Sequence, residues 1–230
     1  MEHFYRPYIN TPPLGYVGGD IMTHGSQLAR QEECDKMDAA GLQVQYYSPA
    51  QNKSINDKSN MTEEQNNCLA EKITAADIGR LWNSDFAVMC TEQSAIGTMC
   101  ELGCLFGWKY MADRLGDELL EYYYDEISPE DGTPLSELYH SNKITSEVKA
   151  KLFDYLVQRI NRILSKNIFA HYFDIRTNHL NEKDWRRSFS INQLLYGMIL
   201  DCTKDHKLHE NFDSVLEELK KLYGEGAANE

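Results

Sequence analysis

No stretch of this 230-residue chain approaches the roughly 18 consecutive apolar residues that cross a bilayer, so no membrane-spanning helix is expected. The opening MEHFYRPYINTPPLG lacks the basic segment and apolar core of an export signal, which points to the cytoplasm. Positive charge is scarce: 23 Lys and Arg stand against 36 Asp and Glu, a formal net charge of -13. Nonspecific duplex binding depends on cations that neutralise phosphates, so nucleic acid is not an expected partner. Internal repeats are absent, and so is any C-x-x-C pair. The six cysteines (Cys34, Cys68, Cys90, Cys100, Cys104, Cys202) fall mostly in apolar segments and read as reduced core residues. Cys100 and Cys104 lie four apart on one helix, but two thiols without further ligands make a poor metal set. His206 and His209 have metal-ligand spacing without partners, and read as surface histidines. No metal is expected.

What the chain does have is an alternation of short apolar strands and helices. LGYVGGD (Leu14 to Asp20) is a strand closing on two glycines, and residues 26–40 follow with few helix breakers. Gly41 supplies a stop, and LQVQYY alternates Leu42, Val44 and Tyr46 with polar positions, the period of a half-buried strand. SPAQNKSINDKSN is a polar loop of a length that often holds a ligand. From Glu63 to Asn83 the pattern predicts one helix with Leu69, Ile73, Asp77 and Leu81 on an i, i+4 row, so the Asp77 carboxyl points where apolar side chains point. DFAVMC has no alternation, as in a central parallel strand covered on both faces, and a helix opens at Gly97. Three strand–helix pairs in a row predict a doubly wound α/β domain with crossovers of the usual hand. Residues 111–166 read as a helical insertion before the fourth strand, with Val148, Leu152, Leu156, Ile160 and Leu164 on one row. IFAHYFDI (Ile168 to Ile175) resumes the sheet. SINQLLYGMILDC is a helix with Leu194, Leu195, Met198, Ile199 and Cys202 inward, and Asn211 to Tyr223 is a last amphipathic helix. The expectation is a single domain over 1–230 that carries the insertion.

Two carboxyl groups stand out. Thr98 and Glu101 form T-x-x-E, the sequence of a helix capping box, and that alone would account for Glu101. Its position offers a second reading: the first turn of a helix after a central strand lies where open α/β sheets bind ligands, and Gly97 removes a side chain there. In a first helical turn the helix dipole favours the carboxylate anion, which suits a nucleophile. Asp77 has the opposite surroundings. Apolar neighbours disfavour its charged form, so its pKa is expected to rise and it can donate a proton, unless it is simply a buried cap or ion-pair partner. Carboxyls pushed apart in this way resemble the acid and nucleophile of a retaining glycosyl-transfer site.

With these residues placed, ADIGRLWNSDFAVM followed by GTMCELG resembles the nucleoside 2-deoxyribosyltransferases, a family with a helical Asp, a Ser-Asp or Asn-Asp entry to the third strand and a glycine turn into Glu-Leu-Gly. YVGGD, YYSPAQNKSIND and SINQLLYG resemble three further segments of that family in the same order, and the likeness covers 14–110 and 168–202. It implies a flavodoxin-like doubly wound parallel sheet of about five strands. It also implies exchange of the nucleobase on 2'-deoxyribonucleosides, with deoxynucleosides and free bases as small-molecule partners and no cofactor. Glu101 would attack the anomeric carbon, Asp77 would protonate the leaving base, and Asn192 of a second subunit would orient Glu101 in a homo-oligomer with shared sites. Tyr16 would sit beside the sugar, with Gly18, Ser94 and Gly97 around it and Asn52 and Lys53 toward the base. Taken alone, Asn192 reads as a helix-start residue behind Ser190, and Arg186 and Arg187 as surface arginines. One departure matters: where the family has an Asp, or a Ser in its 5'-monophosphate hydrolases, this chain has Ala95, with Ser94 or Glu92 as replacements. The alternatives are therefore a 2'-deoxynucleoside 5'-monophosphate N-hydrolase and a non-catalytic nucleotide-binding sensor.

Overall fold

The computed structural model describes residues 12–56, 59, 61–92, 94–122, 147–172 and 191–226. Ser190, Arg186, Arg187 and the end of the expected fourth strand lie outside them. Packing sorts the described residues into two compact units: one takes in those within 12–106 and 167–226, the other those within 107–166. The first holds a parallel sheet of five strands: β1 (Leu14–Gly18), β2 (Gln45–Tyr47), β3 (Phe86–Cys90), β4 (Asn167–His171) and β5 (Leu208–His209). Their order is β2-β1-β3-β4-β5, a doubly wound arrangement of the flavodoxin-like kind. Tyr16 is in register with Tyr47 on one side and Ala87 on the other, and Cys90 with His171. The order reverses between β1 and β3, which makes the carboxyl ends of these two strands the topological switch point.

Every residue of β3 is buried, as its unbroken apolar run requires, and alternate side chains serve opposite faces. On one face Val17, Phe86, Val88 and Phe169 pack with Met37 of helix α1 (His24–Ala39) and with Phe212, Val215, Leu216 and Leu219 of the last helix, Phe212–Tyr223. Gly15 points there too. A Cβ on it would lie 2.2 Å from the Phe86 ring, so only glycine fits. Tyr16, Ala87, Met89, Ile168 and Ala170, all buried, alternate with that set and belong to the other face.

Helix α1 starts at a capping box in which Thr23 Oγ1 accepts from the Ser26 amide (3.1 Å) and Ser26 Oγ from the Thr23 amide (3.0 Å), and Gly41 follows its end at φ +67°. A short helix, α2 (Lys53–Asn56), occupies the expected loop after β2. The single helix expected over 63–83 is two, α3 (Glu63–Asn67) and α4 (Leu69–Asn83). Cys68, at ψ 12°, joins them, and the two asparagines before it favour termination because their side chains compete for backbone groups. Helix α5 (Ile96–Tyr122) runs past residue 111, where the insertion was expected to begin. Within that unit lies α6 (Glu147–Leu164), where Ile160 meets the Gly116 position at ordinary contact distance, 3.8 Å from a built Cβ.

Helix α7 (Gln193–Cys202) is capped by Asn192, and α8 is the Phe212–Tyr223 helix, capped by Asn211. Ile199 and Cys202 are buried in the α7 core stripe, but Leu194 is 76% exposed, against the inward expectation: in the first turn it faces out beyond the helix row. The fifth strand, not located in advance because only two residues pair, brings a further correction. His209 is buried rather than superficial, with Nδ1 3.0 Å from Ser214 Oγ, and burial lowers its pKa to about 4. Two cysteines also depart from the core expectation, Cys68 and Cys100 being exposed, and all six are free thiols. No described helix is long and apolar enough to cross a membrane.

Candidate active site

The site is assembled at the switch point, on the Tyr16 face of the sheet. Tyr16 of β1 is fully buried, and its hydroxyl donates to Glu101 Oε1 at 2.5 Å. Gly18, two residues on and therefore on the same face, makes room for this carboxyl: a Cβ there would lie 2.9 Å from Glu101 Oε2 and 3.1 Å from Tyr16 Cε1. Oε2 is buried and without a hydrogen-bond partner among the described residues. One oxygen of Glu101 is thus held while the other is left unpaired, at an energetic cost that structural carboxylates do not normally carry.

The capping-box reading of Glu101 is not realised. Ala95 precedes α5 and its carbonyl accepts from the Met99 amide (2.9 Å), so Thr98 is inside the helix and Glu101 falls in the second turn, not the first. The expectation that Glu101 is held as an anion is also corrected. Its pKa is raised to about 7, chiefly by burial, with the Tyr16 hydrogen bond partly offsetting the rise and the nearby Asp77 charge adding to it. A second-turn carboxyl lies too far along the helix for the dipole to compensate.

Asp77 of α4 is buried, and burial raises its pKa, as its apolar row predicted. Tyr47 donates to Asp77 Oδ1 at 2.9 Å, and Asn52 Nδ2 donates to the Tyr47 hydroxyl at 3.0 Å. The rings of the two carboxyls' partners, Tyr16 and Tyr47, lie 5.9 Å apart at a tilt of 38°, while the Arg80 guanidinium sits 5.5 Å over the Tyr47 ring. Tyr47 was not singled out in the sequence. In LQVQYY the alternation assigns Tyr46 inward, and Tyr46 does pack toward α1 and bond to Asp38 (2.7 Å). Adjacent strand residues face opposite ways, so a second aromatic directly after it was the available signal for the ligand face.

The other expected residues divide. Asn52 belongs to the cluster. Lys53 is exposed at the start of α2 and Ser94 is exposed before α5. Gly97 is exposed and a Cβ there meets nothing within 4 Å, so space exists without glycine being required. Ala95 is buried, and Glu92 acts electrostatically on Arg30 and Glu33, on the opposite face of the sheet. Asn192 is exposed at the α7 N-terminus, where Oδ1 accepts from the Leu194 (2.9 Å) and Leu195 (3.3 Å) amides. Within one chain, then, it serves as a helix cap.

A second polar cluster lies under the α1 face. Arg30 pairs with Glu33 at 2.6 Å, and His171 Nε2 is 3.4 Å from the same Glu33 oxygen, beside Cys90. The ligand atoms of Glu33, Cys90 and His171 fall within 4.8 Å of one another. A cation there would nevertheless stand against the buried Arg30 guanidinium, which already takes Glu33, and burial holds the Cys90 thiol up at about 12, away from the thiolate a metal takes, while His171, down at about 3, is neutral. The chemistry of this set is that of a neutral-histidine ion-pair network rather than a metal centre.

No protein-family model matches this chain, and no curated protein matches it. Among solved structures, one described as a conserved protein from Enterococcus faecalis V583 resembles it with a TM-score of 0.52 at 14% sequence identity, over 91% of this chain and 98% of that one. At that identity the likeness establishes the shared fold alone.

Proposed function

We propose that this protein exchanges the nucleobase of 2'-deoxyribonucleosides through a covalent glycosyl-Glu101 intermediate. The observation that carries the reading is the Glu101 carboxyl, with one oxygen held by Tyr16 and the other unpartnered beside Gly18. In the first displacement Glu101 Oε2 bonds to C1' as the C1'–N bond breaks. The electron pair goes to the departing base, which takes the proton of Asp77. In the second, the incoming base bonds to C1', returns its proton to Asp77 and releases Glu101. Two inversions retain the β configuration. Buried Tyr16 closes the floor beside the sugar, and the cycle is redox-neutral.

Asn192 enters this reading from a second copy of the chain. Its exposed end of α7 stands beside the exposed Leu194, and Ile96 at the start of α5 is 73% exposed, apolar surface that subunit contact would cover. A cytoplasmic site for the enzyme accords with six free thiols. The test is incubation with deoxyinosine with and without adenine. Exchange establishes the transferase. Release of hypoxanthine alone establishes the hydrolase, and the absence of both removes the enzymatic reading in favour of a binding protein.

A further inference from the structure

We infer that Tyr47, backed by Asn52, is a positioning residue for Asp77: it fixes which carboxyl oxygen carries the proton. The inference builds on Asp77 as the proton donor in the reaction proposed above. A phenol has one hydrogen to give, whereas an amide nitrogen can only donate. Asn52 Nδ2, 3.0 Å from the Tyr47 oxygen, occupies a lone pair of that oxygen. The arrangement that lets all three groups pair sends the Tyr47 hydrogen to Asp77 Oδ1, 2.9 Å away. Oδ1 is then an acceptor, and the carboxyl's own hydrogen belongs on Oδ2. A carboxylic acid free to protonate on either oxygen would present its hydrogen to the base only part of the time.

The groups that face Asp77 are consistent with this division. Tyr47 comes from β2 and keeps its hydrogen, because burial raises its pKa; the Asn52 hydrogen bond opposes the rise, Asp77 adds to it and Arg80 opposes it. Tyr16 of β1 and Glu101 of α5 both feel the Asp77 charge, and each disfavours a second anion beside it. Arg80, almost one turn further along α4, lies over the Tyr47 ring rather than on the carboxyl. Tyr47 is thus the group whose hydrogen bond opposes the effect of burial at Asp77.

The test is a carbon-13 NMR titration of the labelled Asp carboxyls, with Asp77→Asn to assign the signal, on the wild type, Tyr47→Phe and Asn52→Ala. Removal of the phenol is expected to raise the Asp77 midpoint by about one pH unit, since the anion loses its donor. Asn52→Ala, on a half-buried loop residue, is expected to shift it the same way by less. In base exchange, Tyr47→Phe should lower kcat for a poor leaving group such as adenine about tenfold with little change in KM, and leave an activated base that departs unprotonated unaffected. An unchanged Asp77 midpoint in both variants overturns the inference. A wild type that exchanges no base, with midpoints shifted as expected, overturns instead the function proposed above and leaves the Tyr47–Asp77 relay standing.

Discussion

In the proposed reaction Glu101 meets two opposing demands, reactivity and burial, and they are separable by pH. Its folded pKa of about 7 lies above the ordinary carboxyl value of 4.5, so folding favours the protonated form. The stability associated with it is fully present below about pH 4.5 and is lost as pH rises through about 7. Glu101→Gln does not titrate. It is therefore expected to be more stable than the wild type at pH 8, by up to about 3 kcal/mol, with the difference vanishing toward pH 4.5 in urea unfolding. The same variant is expected to lose several orders of magnitude in exchange rate, because an amide is a poor nucleophile. Wild-type kcat/KM should rise as pH passes through about 7 and the nucleophile ionises. A variant that keeps more than about a tenth of the rate would return Glu101 to a structural role. Asp77→Asn tests the acid: it should harm adenine release far more than release of an activated base, and equal losses on both would remove Asp77 from proton transfer.

At the scale of elements, β1 makes the sharpest forecast, because its glycines face opposite layers. Gly18→Ala places a Cβ 2.9 Å from Glu101 Oε2, the end of a flexible side chain, so the carboxyl can move aside at small cost to the fold. The expected outcome is at least a tenfold loss of kcat with unfolding free energy changed by less than about 1 kcal/mol. Gly15→Ala instead drives a Cβ into the Phe86 ring within the α1 and α8 core, where rigid packing cannot yield. It is expected to lower stability by about 1–3 kcal/mol, measured by thermal or urea unfolding. The elements themselves were largely legible. The strand 86–90 showed as an unbroken apolar run, and α4 as an i, i+4 row that already contained Asp77. Less was legible where local signals are short or ambiguous: β5 pairs through two residues, and the α3–α4 break depends on one non-helical residue, Cys68.

At the scale of the whole molecule, the proposed sharing of sites makes Asn192 decisive. In one chain its Oδ1 caps α7, and a second copy would use the exposed remainder of the amide. Homomers of Glu101→Ala and of Asn192→Ala should each be nearly inactive. Mixed and reassembled, they should recover activity, since some sites then carry both native residues. In a two-site dimer, one site of each heterodimer carries both lesions and the other none. A stable, active monomer in sedimentation, or no recovery despite proven subunit exchange, would rule sharing out.

The linear sequence by itself determined the order of the first four strands and the main helices and put Asp77 and Glu101 on helices that return to the sheet. Both follow from interactions a few residues long: hydrophobic period, glycine stops and the rows of a helix. Tertiary structure alone decided that burial lifts the Glu101 pKa to about 7, that Tyr47 hydrogen-bonds Asp77 while Lys53 stays exposed, and that His209 and His171 are buried and neutral. Desolvation depends on what distant parts of the chain place around a group. The bond from Tyr16 to Glu101 spans 85 residues and that from Tyr47 to Asp77 spans 30, separations over which no local pattern carries information.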